Sequence, residues 1–479
     1  MSSKQGITAK KDENFSEWFT QVIQKCELAD LRYNVKGFLV FQPWSVLAME
    51  KMYKYYEEAL QKKGHKPYFF PTVIPESNLK KETSHIKGFT PEVFWVTHGG
   101  NKKLEEKMAL RPTSETAFYQ MFALWIRSYN DLPFKTYQRA QVFRYETKAT
   151  RPFLRSREFH WIETHCAHSS EKNAMNQVQE DMKTTQEVMH DIFGIPFIFF
   201  ERPGWDKFAG AYRTFAADAL NPDGKVIQQP STHIISPNFV KAFDIKFKDK
   251  DEKEKFVWTT CYGPAISRIF ASVIITHGDD KGLKFPWEIA PLQIVIIPID
   301  KETHKKAEAL KKELQEFASV EIDYADKRPG EKFNHWEMKG VPIRIDLGLK
   351  DLEKKKLTIY RRDTDKKVLI DEKDVLKEIK KISTEFTGNL IKKADQVFEG
   401  RIKDIKNIKE IKQAIKEGKI ARCNFCSVEK DGTSCAGVIE KEVGAEVRGT
   451  RLDEKSKISG KCAICGKEAN HIVYVAKSY

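Results

Sequence analysis

The apolar pattern of this chain changes character after Trp287, and that break decides how the chain can be divided. Before it, the residues are rich in aromatics and mixed in period. Pro43–Lys63 opens with proline at its first turn, carries Val46, Leu47, Met49, Met52, Tyr53, Tyr56 and Leu60, and stops at Gly64, which predicts a helix. Glu115–Tyr129 and Glu171–Phe193 read as two more helices, and Phe197–Phe200 as a strand. Tyr68–Pro75 is an extended stretch punctuated by prolines. Phe134–Glu146 and Arg155–His165 read as two strands joined by the basic loop Thr147–Leu154. After Trp287, strands at Leu292–Ile299, Val320–Tyr324, Ile343–Leu347 and Leu357–Arg361 are interleaved with helices at Lys301–Phe317 and Glu331–Lys339. That alternation predicts a small α/β domain with a mainly parallel sheet. From Asp371 the chain turns Lys/Glu-rich, reading as two helices with a solvated face, Asp371–Phe398 and Ile402–Glu417, before a cysteine-bearing end.

Lys+Arg exceeds Asp+Glu by 82 to 68, an excess of 14 that suits a polyanionic partner such as nucleic acid but also occurs in lysine-rich chains without one. The longest apolar runs, such as Pro291–Ile299, fall far short of the ~20 residues of a membrane span. The start, MSSKQGITAKKDENFSEW, has no apolar core of a secretory signal. A cytoplasmic protein with no membrane partner is expected. Five of the eight cysteines, Cys423, Cys426, Cys435, Cys462 and Cys465, crowd the end of the chain and read as metal ligands before disulfides. By spacing alone, Cys423-x2-Cys426 with Cys462-x2-Cys465 is a zinc pattern, and free thiols without a metal are the plainer alternative.

Arginines 139, 144, 151, 155 and 157 fall on the strand–loop–strand segment. Arg is always charged and presents a planar fork to phosphate or carboxylate. Residues two apart on a strand share a face, so Arg144 and Glu146 can hold two ends of one ligand, a phosphate and an amine. A solvated basic hairpin with surface ion pairs has the same spacing.

Phe143-Arg144-Tyr145-Glu146 with a downstream Arg resembles motif 2 of the class II aminoacyl-tRNA synthetases. Arg111-Pro112-Thr113-Ser114-Glu115 resembles their amino-acid-binding TSE loop, Gly263-Pro264-Ala265-Ile266-Ser267-Arg268 their motif 3, and Pro71 the proline of motif 1. RPFLRSREFHWIETHCAH (151–168), KFAG (207–210), GEKFNHWEMKG (330–340) and RRDT (361–364), in that order, resemble the prolyl-tRNA synthetases. The resemblance covers nearly the whole chain. It is to the archaeal/eukaryotic-like type, with a C-terminal extension and without the editing insertion of bacterial members. It implies an α+β multidomain fold: a class II antiparallel-sheet catalytic domain over 1–287, an α/β anticodon-binding domain over 288–380 and a small α+β zinc-binding domain over 381–479. It also implies a homodimer that activates L-proline with ATP and transfers it to tRNA(Pro).

The same resemblance implies residue roles. Arg144 is expected to bridge the proline carboxylate and the ATP α-phosphate, and Arg268 to neutralise the tail phosphates with help from Arg155. Glu146 is expected on the adenine amino group, Gln228 in the ATP site, and Mg²⁺ across phosphate oxygens. Loop–tRNA contact is a second role for Arg155 and Arg157. Thr113 and Glu115 match the site of the proline ammonium. Phe159, Trp161, Glu163, His165, Phe208, Ser231 and His233 match the rest of its pocket, although each aromatic alone also reads as ordinary core. The chain departs from the family pattern in CYGPAISR (261–268), QQPSTH (228–233) and Arg213. Lys332, Glu337, Lys339 and Arg344 match the anticodon-reading segment, which also reads as an amphipathic helix packing Trp336. The family register of the metal site is Cys426-x8-Cys435 with Cys462 and Cys465, leaving Cys423 packed on a strand, Ile420–Phe425. Tyr479 is expected to tuck into the catalytic domain, following a paired strand at His471–Ala476. A non-catalytic RNA-binding relative, or a synthetase for another amino acid such as threonine, are the competing readings.

Overall fold

A single long hairpin organises the first half of the chain in the computed structural model, which describes residues 6–83, 92–208, 210–235, 237–454 and 456–479. Two helices precede it, Phe15–Lys25 (α1) and Pro43–Lys62 (α2), then a short strand, Lys66–Pro67 (β1), and the helix Glu115–Trp125 (α3). The hairpin itself is Phe134–Phe143 (β2) and Glu158–His168 (β3), paired antiparallel from Phe134↔Ala167 to Phe143↔Glu158. The helix Glu171–Thr185 (α4) follows, closing with a π-helical turn over Gln186–His190 where a continuous α-helix to Phe193 was expected. The strands Ile198–Glu201 (β4), Ala211–Leu220 (β5), Lys225–Ile235 (β6) and Trp258–Gly263 (β7) complete a sheet in the order β4-β5-β6-β7-β3-β2-β1. Ile266–His277 (α5) leaves from the end of β7.

Apolar residues at helical spacing explain how the helices cover this sheet. Trp18, Phe19 and Val22 of α1, Met49, Met52, Tyr53 and Tyr56 of α2, and Ile269, Phe270 and Val273 of α5 form one core with Ile162, Ile227 and Tyr262 of the strands. Most of the apolar stripe of α2 is therefore consumed inside its own chain, while Val46 and Leu47 stay exposed.

The second unit is a five-stranded sheet of Ile294–Pro298 (β8), Val320–Ile322 (β9), Ile343–Leu347 (β10), Lys356–Arg361 (β11) and Lys366–Asp371 (β12), in the order β9-β8-β10-β11-β12. Only its first three strands are parallel; β10–β11 and β11–β12 are antiparallel. The expected mainly parallel sheet fails at β11 because the connection 348–355 is shorter than the dozen or so residues of a parallel crossover. The helices His304–Leu314 (α6) and Pro329–Lys339 (α7) come from this unit. Val375–Glu399 (α8) packs Ile379, Ile382, Phe386 and Leu390 onto its sheet and leaves its Lys/Glu residues outward. Arg362, fully buried, donates to Asp279 at 2.6 and 2.8 Å and so fastens this unit to the chain just beyond α5.

The expected helix Ile402–Glu417 is instead a strand, Ile402–Ile405 (β13), and a helix, Ile408–Lys416 (α9), divided where Asn407 caps the amide of Glu410 at 3.1 Å. A side chain that offers the backbone an N-cap starts a helix at that point and ends what precedes it. Ile420–Phe425 (β14), Thr433–Val443 (α10), Glu446–Arg451 (β15) and His471–Ser478 (β16) complete the cysteine-bearing unit. Its strands continue the first sheet. β15 pairs with β4 at Thr450↔Glu201 and Arg451↔Phe200, and β16 runs parallel to β6 at Lys225↔Lys477. The result is one eleven-stranded sheet, β13-β14-β16-β15-β4-β5-β6-β7-β3-β2-β1.

Where the two units meet, the turn after β5 presses its backbone on the turn after α9. Gly224 has φ +78°, and a Cβ there would lie 2.3 Å from the Gly418 Cα. Gly224→Ala is expected to cost about 1–3 kcal/mol through backbone strain and collision. A urea unfolding midpoint equal to that of the parent chain would contradict this contact.

Candidate active site

Strands β3, β5, β6 and β7 enclose, with the loop before α3, a cavity of about 260 Å³. The strand period explains the contribution of β3, since Phe159, Trp161, Glu163 and His165 alternate onto one face. Thr113 and Glu115 enter from the loop and first turn of α3, Arg144 from just beyond β2, and Phe208 from the β4–β5 connection. Gln228, Ser231 and His233 enter from β6, and Arg268 from the first turn of α5. All of these sequence-predicted residues line the one cavity. Ala209 of the KFAG segment lies outside the described residues.

Glu146 and Arg155 do not line it. β2 ends at Phe143, so the strand alternation that would put Arg144 and Glu146 on one face does not extend to them. Glu146 instead accepts from the Lys148 amide at 3.1 Å and stands 3.8 Å from Arg155 Nε. Arg155 Nη2 donates to the Tyr479 carbonyl at 2.8 Å, and the Tyr479 amide donates to Val226 at 3.1 Å, so the final strand reaches the loop of the hairpin. Of the other arginines, Arg139 lies 3.7 Å from the Tyr53 ring and pairs with Glu50, while Arg157 lies 4.4 Å from the Tyr145 ring.

The electrostatics of the cavity are uneven. Arg144 donates to the Pro112 carbonyl at 3.2 Å, and its guanidinium lies over Phe159 and Trp161, 5.1 and 5.8 Å from their centroids. Arg268 donates to the carbonyls of Leu154 at 3.3 Å and Gln228 at 3.2 Å. Neither makes an ion pair with a carboxylate among the described residues. Burial lowers the pKa of both, with Arg268 brought down to about 10 by burial first and then by Arg144 and Arg155. Arg268 is half-buried and Arg144 still open to solvent, and an anion entering the cavity gives both a charged partner.

Opposite them stand two carboxylates. Glu115 accepts from Thr113 Oγ1. Glu163 accepts from the Ser114 amide at 3.2 Å and Gln138 Nε2 at 2.6 Å, with His165 Nε2 at 3.2 Å. Burial opposes the ionisation of Glu163, but these donors, His165 foremost, outweigh it and hold its pKa below the ordinary value. Trp161 Nε1–H is buried with no acceptor. The cavity thus offers paired cations, a fixed acidic end and aromatic walls. That arrangement suits a ligand carrying phosphate or carboxylate at one end and an ammonium at the other.

Arg202, Asp206, Thr214 and Cys261 also line the cavity and were not singled out from the sequence. The signal that marks some of them is the β5–β6 pairing. Ala216 faces Ser231 but Asp218 faces Gln228, so β6 carries an extra residue in the cavity wall.

The Sγ atoms of Cys426, Cys435, Cys462 and Cys465 all lie within 4.8 Å of one another, with Cys426 and Cys435 3.6 Å apart. Tetrahedral bonds of about 2.3 Å to zinc place sulfurs about 3.8 Å apart, so this donor set fits the ion. Cys423 is buried on β14 opposite Val473, within apolar packing, and does not join the set. The grouping suggested by the Cys423-x2-Cys426 spacing is not the one the fold assembles.

The four residues expected at the anticodon are engaged within the protein. Lys332 donates to the Asp323 carbonyl at 2.9 Å, and Lys339 to the Cys26 carbonyl at 2.8 Å. Arg344 pairs with Glu337 and Asp346, both at 2.7 Å, and lies 4.0 Å from the Phe333 ring centroid. Trp336 donates to Asp323 at 2.8 Å and tilts against Trp44. The structure does not bring these residues to a shared open face.

Residues 94–277 match the family described as tRNA synthetase class II core domain (G, H, P, S and T). Residues 293–382 match an anticodon binding domain, and 408–479 the C-terminal domain of prolyl-tRNA synthetase. The curated proline--tRNA ligase of Thermofilum pendens is 47% identical over 100% of both chains. The solved Giardia lamblia prolyl-tRNA synthetase in complex with prolyl-adenylate superposes with a TM-score of 0.95 at 36% identity, over 99% of this chain and 100% of that one. The Cryptosporidium parvum prolyl-tRNA synthetase complexed with halofuginone and AMPPNP gives 0.94 at 32%, over 100% of both.

Within the cavity, His233 lies 3.0 Å from Ser231 Oγ and 3.1 Å from Thr214 Oγ1, and burial, then the charge of Arg202, brings its pKa down to about 3. In the unfolded chain the ring takes up its proton near 6.5. Its folded form therefore contributes stability that is present above pH 6.5 and lost as the pH falls toward 3. No NMR titration of the His233 ring is expected between pH 5 and 8; an inflection near 6.5 would show a ring open to water.

Proposed function

The chain belongs to the proline–tRNA ligases of the class II aminoacyl-tRNA synthetases, and we propose that its cavity activates L-proline with ATP to prolyl-adenylate before transfer of the prolyl group to tRNA(Pro). The observation that carries the reading is the pair of guanidiniums, Arg144 and Arg268, that line one cavity without a carboxylate ion pair and are opposed there by Glu115 and Glu163.

In this reading a proline carboxylate oxygen attacks the α-phosphorus in line and pyrophosphate leaves. Little covalent work falls to the protein, so positioning and charge neutralisation carry the rate. Arg144 bridges the carboxylate and the α-phosphate as charge builds there. Arg268 meets the tail phosphates with Arg155 beside it, Gln228 borders the nucleotide, and Mg²⁺ entering with ATP would supply further neutralisation of the phosphate charge. Glu146, outside the cavity, is assigned to the adenine amino group on the family resemblance alone. The proline ring lies among Phe159, Trp161 and Phe208, with its ammonium toward Glu115 and Thr113. Glu163 and His165 hold that end rigid through Ser114 and Gln138, while Ser231 and the neutral His233 close the far wall.

The units 1–287, 288–380 and 381–479 are taken as catalytic, anticodon-binding and metal-binding. Lys332, Glu337, Lys339 and Arg344 are kept as tRNA anticodon residues on the family resemblance, and the internal bonds of Lys332, Lys339 and Arg344 suit bracing of the surface that meets the bases. A cytoplasmic location goes with the substrate tRNA; no helix of the described residues is long and apolar enough to cross a membrane. We assign zinc to Cys426, Cys435, Cys462 and Cys465. Four thiolates leave no open position, so the ion supplies fold stability and not catalysis.

Arg144→Ala is expected to lower proline-dependent ATP–pyrophosphate exchange by roughly 10²–10³, the usual cost of a transition-state donor. Near-normal exchange would refute the assignment. Metal analysis is expected to find one zinc per chain, lost in Cys426→Ser and kept in Cys423→Ser; the reverse would favour the CxxC grouping. A homodimer is also expected. Phe69 is 87% exposed, and an aromatic side chain so fully open to water suits a partner surface. Light scattering giving the 55.5 kDa monomer at micromolar concentration would contradict that.

A further inference from the structure

Four charges of alternating sign run from the cysteine-bearing unit to the cavity wall. Glu446 on β15, half exposed, accepts from Arg448 Nη1 at 2.6 Å. Arg448 donates to Asp218 of β5 through Nε at 2.8 Å and Nη2 at 3.3 Å. Arg202 grips the same carboxylate from the other side, at 2.7 and 3.0 Å, and donates to the Arg448 carbonyl at 2.8 Å. Arg202, Asp218 and Arg448 are only 4%, 1% and 5% exposed. At the inner end Arg202 lines the cavity and reaches Gln228 Oε1 at 3.4 Å, while the carbonyl of Gln228 receives Arg268.

This network braces a weak place in the sheet. The extra residue of β6 falls between Gln228 and Ser231, and a bulge interrupts the ladder hydrogen bonds that would otherwise fix the wall. Asp218 sits opposite Gln228 at that point. Held from both sides by arginine, it determines where Arg202 and the Gln228 side chain rest.

We propose that Arg448, a residue of the cysteine-bearing unit, is a positioning residue for ATP use: through Asp218 it fixes Arg202 and Gln228, and with them the wall that carries Arg268. The inference rests on the synthetase reading above. Asp218 is a poor residue to vary, because its loss strands two buried guanidiniums. Loss of Arg448 leaves Asp218 paired with Arg202.

The test is proline-dependent ATP–pyrophosphate exchange by the full chain carrying Arg448→Met or Arg448→Lys, with zinc content and melting midpoint measured alongside. R448M is expected to raise KM for ATP about tenfold, with KM for proline and zinc content nearly unchanged and part of the effect recovered in R448K. A purely structural role would lower the melting midpoint and the active fraction and leave KM for ATP alone, and that result overturns the proposal. Should R448M not accumulate as folded protein, Glu446→Gln loosens only the outer end of the network. A rise in KM for ATP of about twofold in E446Q supports the proposal, and unchanged values in both E446Q and R448K overturn it. An unmutated chain that fails to exchange at all would instead overturn the synthetase reading, so the two failures are distinct.

Discussion

Bringing two guanidinium groups into one cavity without giving them carboxylate ion pairs is the demand that the rest of this structure serves. Arg144 and Arg268 are held by carbonyls from three separate places, Pro112 before α3, Leu154 in the hairpin loop and Gln228 on β6. A carbonyl is a good acceptor but returns only part of the lost hydration of a full charge, so the site stays electrostatically incomplete until an anion enters. Such a site needs a stiff frame. The long hairpin, the β5–β6–β7 strands behind it and the aromatic layer of α1, α2 and α5 provide that stiffness.

The same frame links the parts of the chain. α5 begins at the cavity with Arg268 and ends just before Asp279, where Arg362 of the second unit makes its two-pronged contact. The third unit reaches the cavity by two routes, the strand pairing of β15 with β4 and the run of β16 along β6 that sets Tyr479 against Arg155. The three sequence-level units therefore behave as one packed body around the incomplete charge.

Much of this was legible in the sequence, and the misses have physical causes. The hairpin, α2, the strands of the second unit and the paired final strand show clear periodicity and turn residues. The cavity-lining positions were legible because motif order carries information that no isolated residue does: Trp161 or Phe208 alone reads as core. Glu146 lies off the cavity lining because a same-face argument holds only while the strand continues, and β2 stops at Phe143. Lys332, Lys339 and Arg344 were matched to an anticodon-reading segment by motif, and the internal acceptor that each head finds is a contact that motif does not report. Arg202, Asp218 and Arg448 were invisible. Their partners lie as far as 246 residues away, and no local pattern signals a contact of that range.

The pairing of β15 with β4 has one more consequence. It hides the outer edge of the strand that carries Phe199 and Phe200. A chain shortened before residue 446 would leave that strand with unpaired amide and carbonyl groups and apolar side chains, the template on which like edges of neighbouring molecules join. The last unit thus also guards the finished chain against fibre-like self-association, a protection that the catalytic strands lack during synthesis because they emerge long before their cover does.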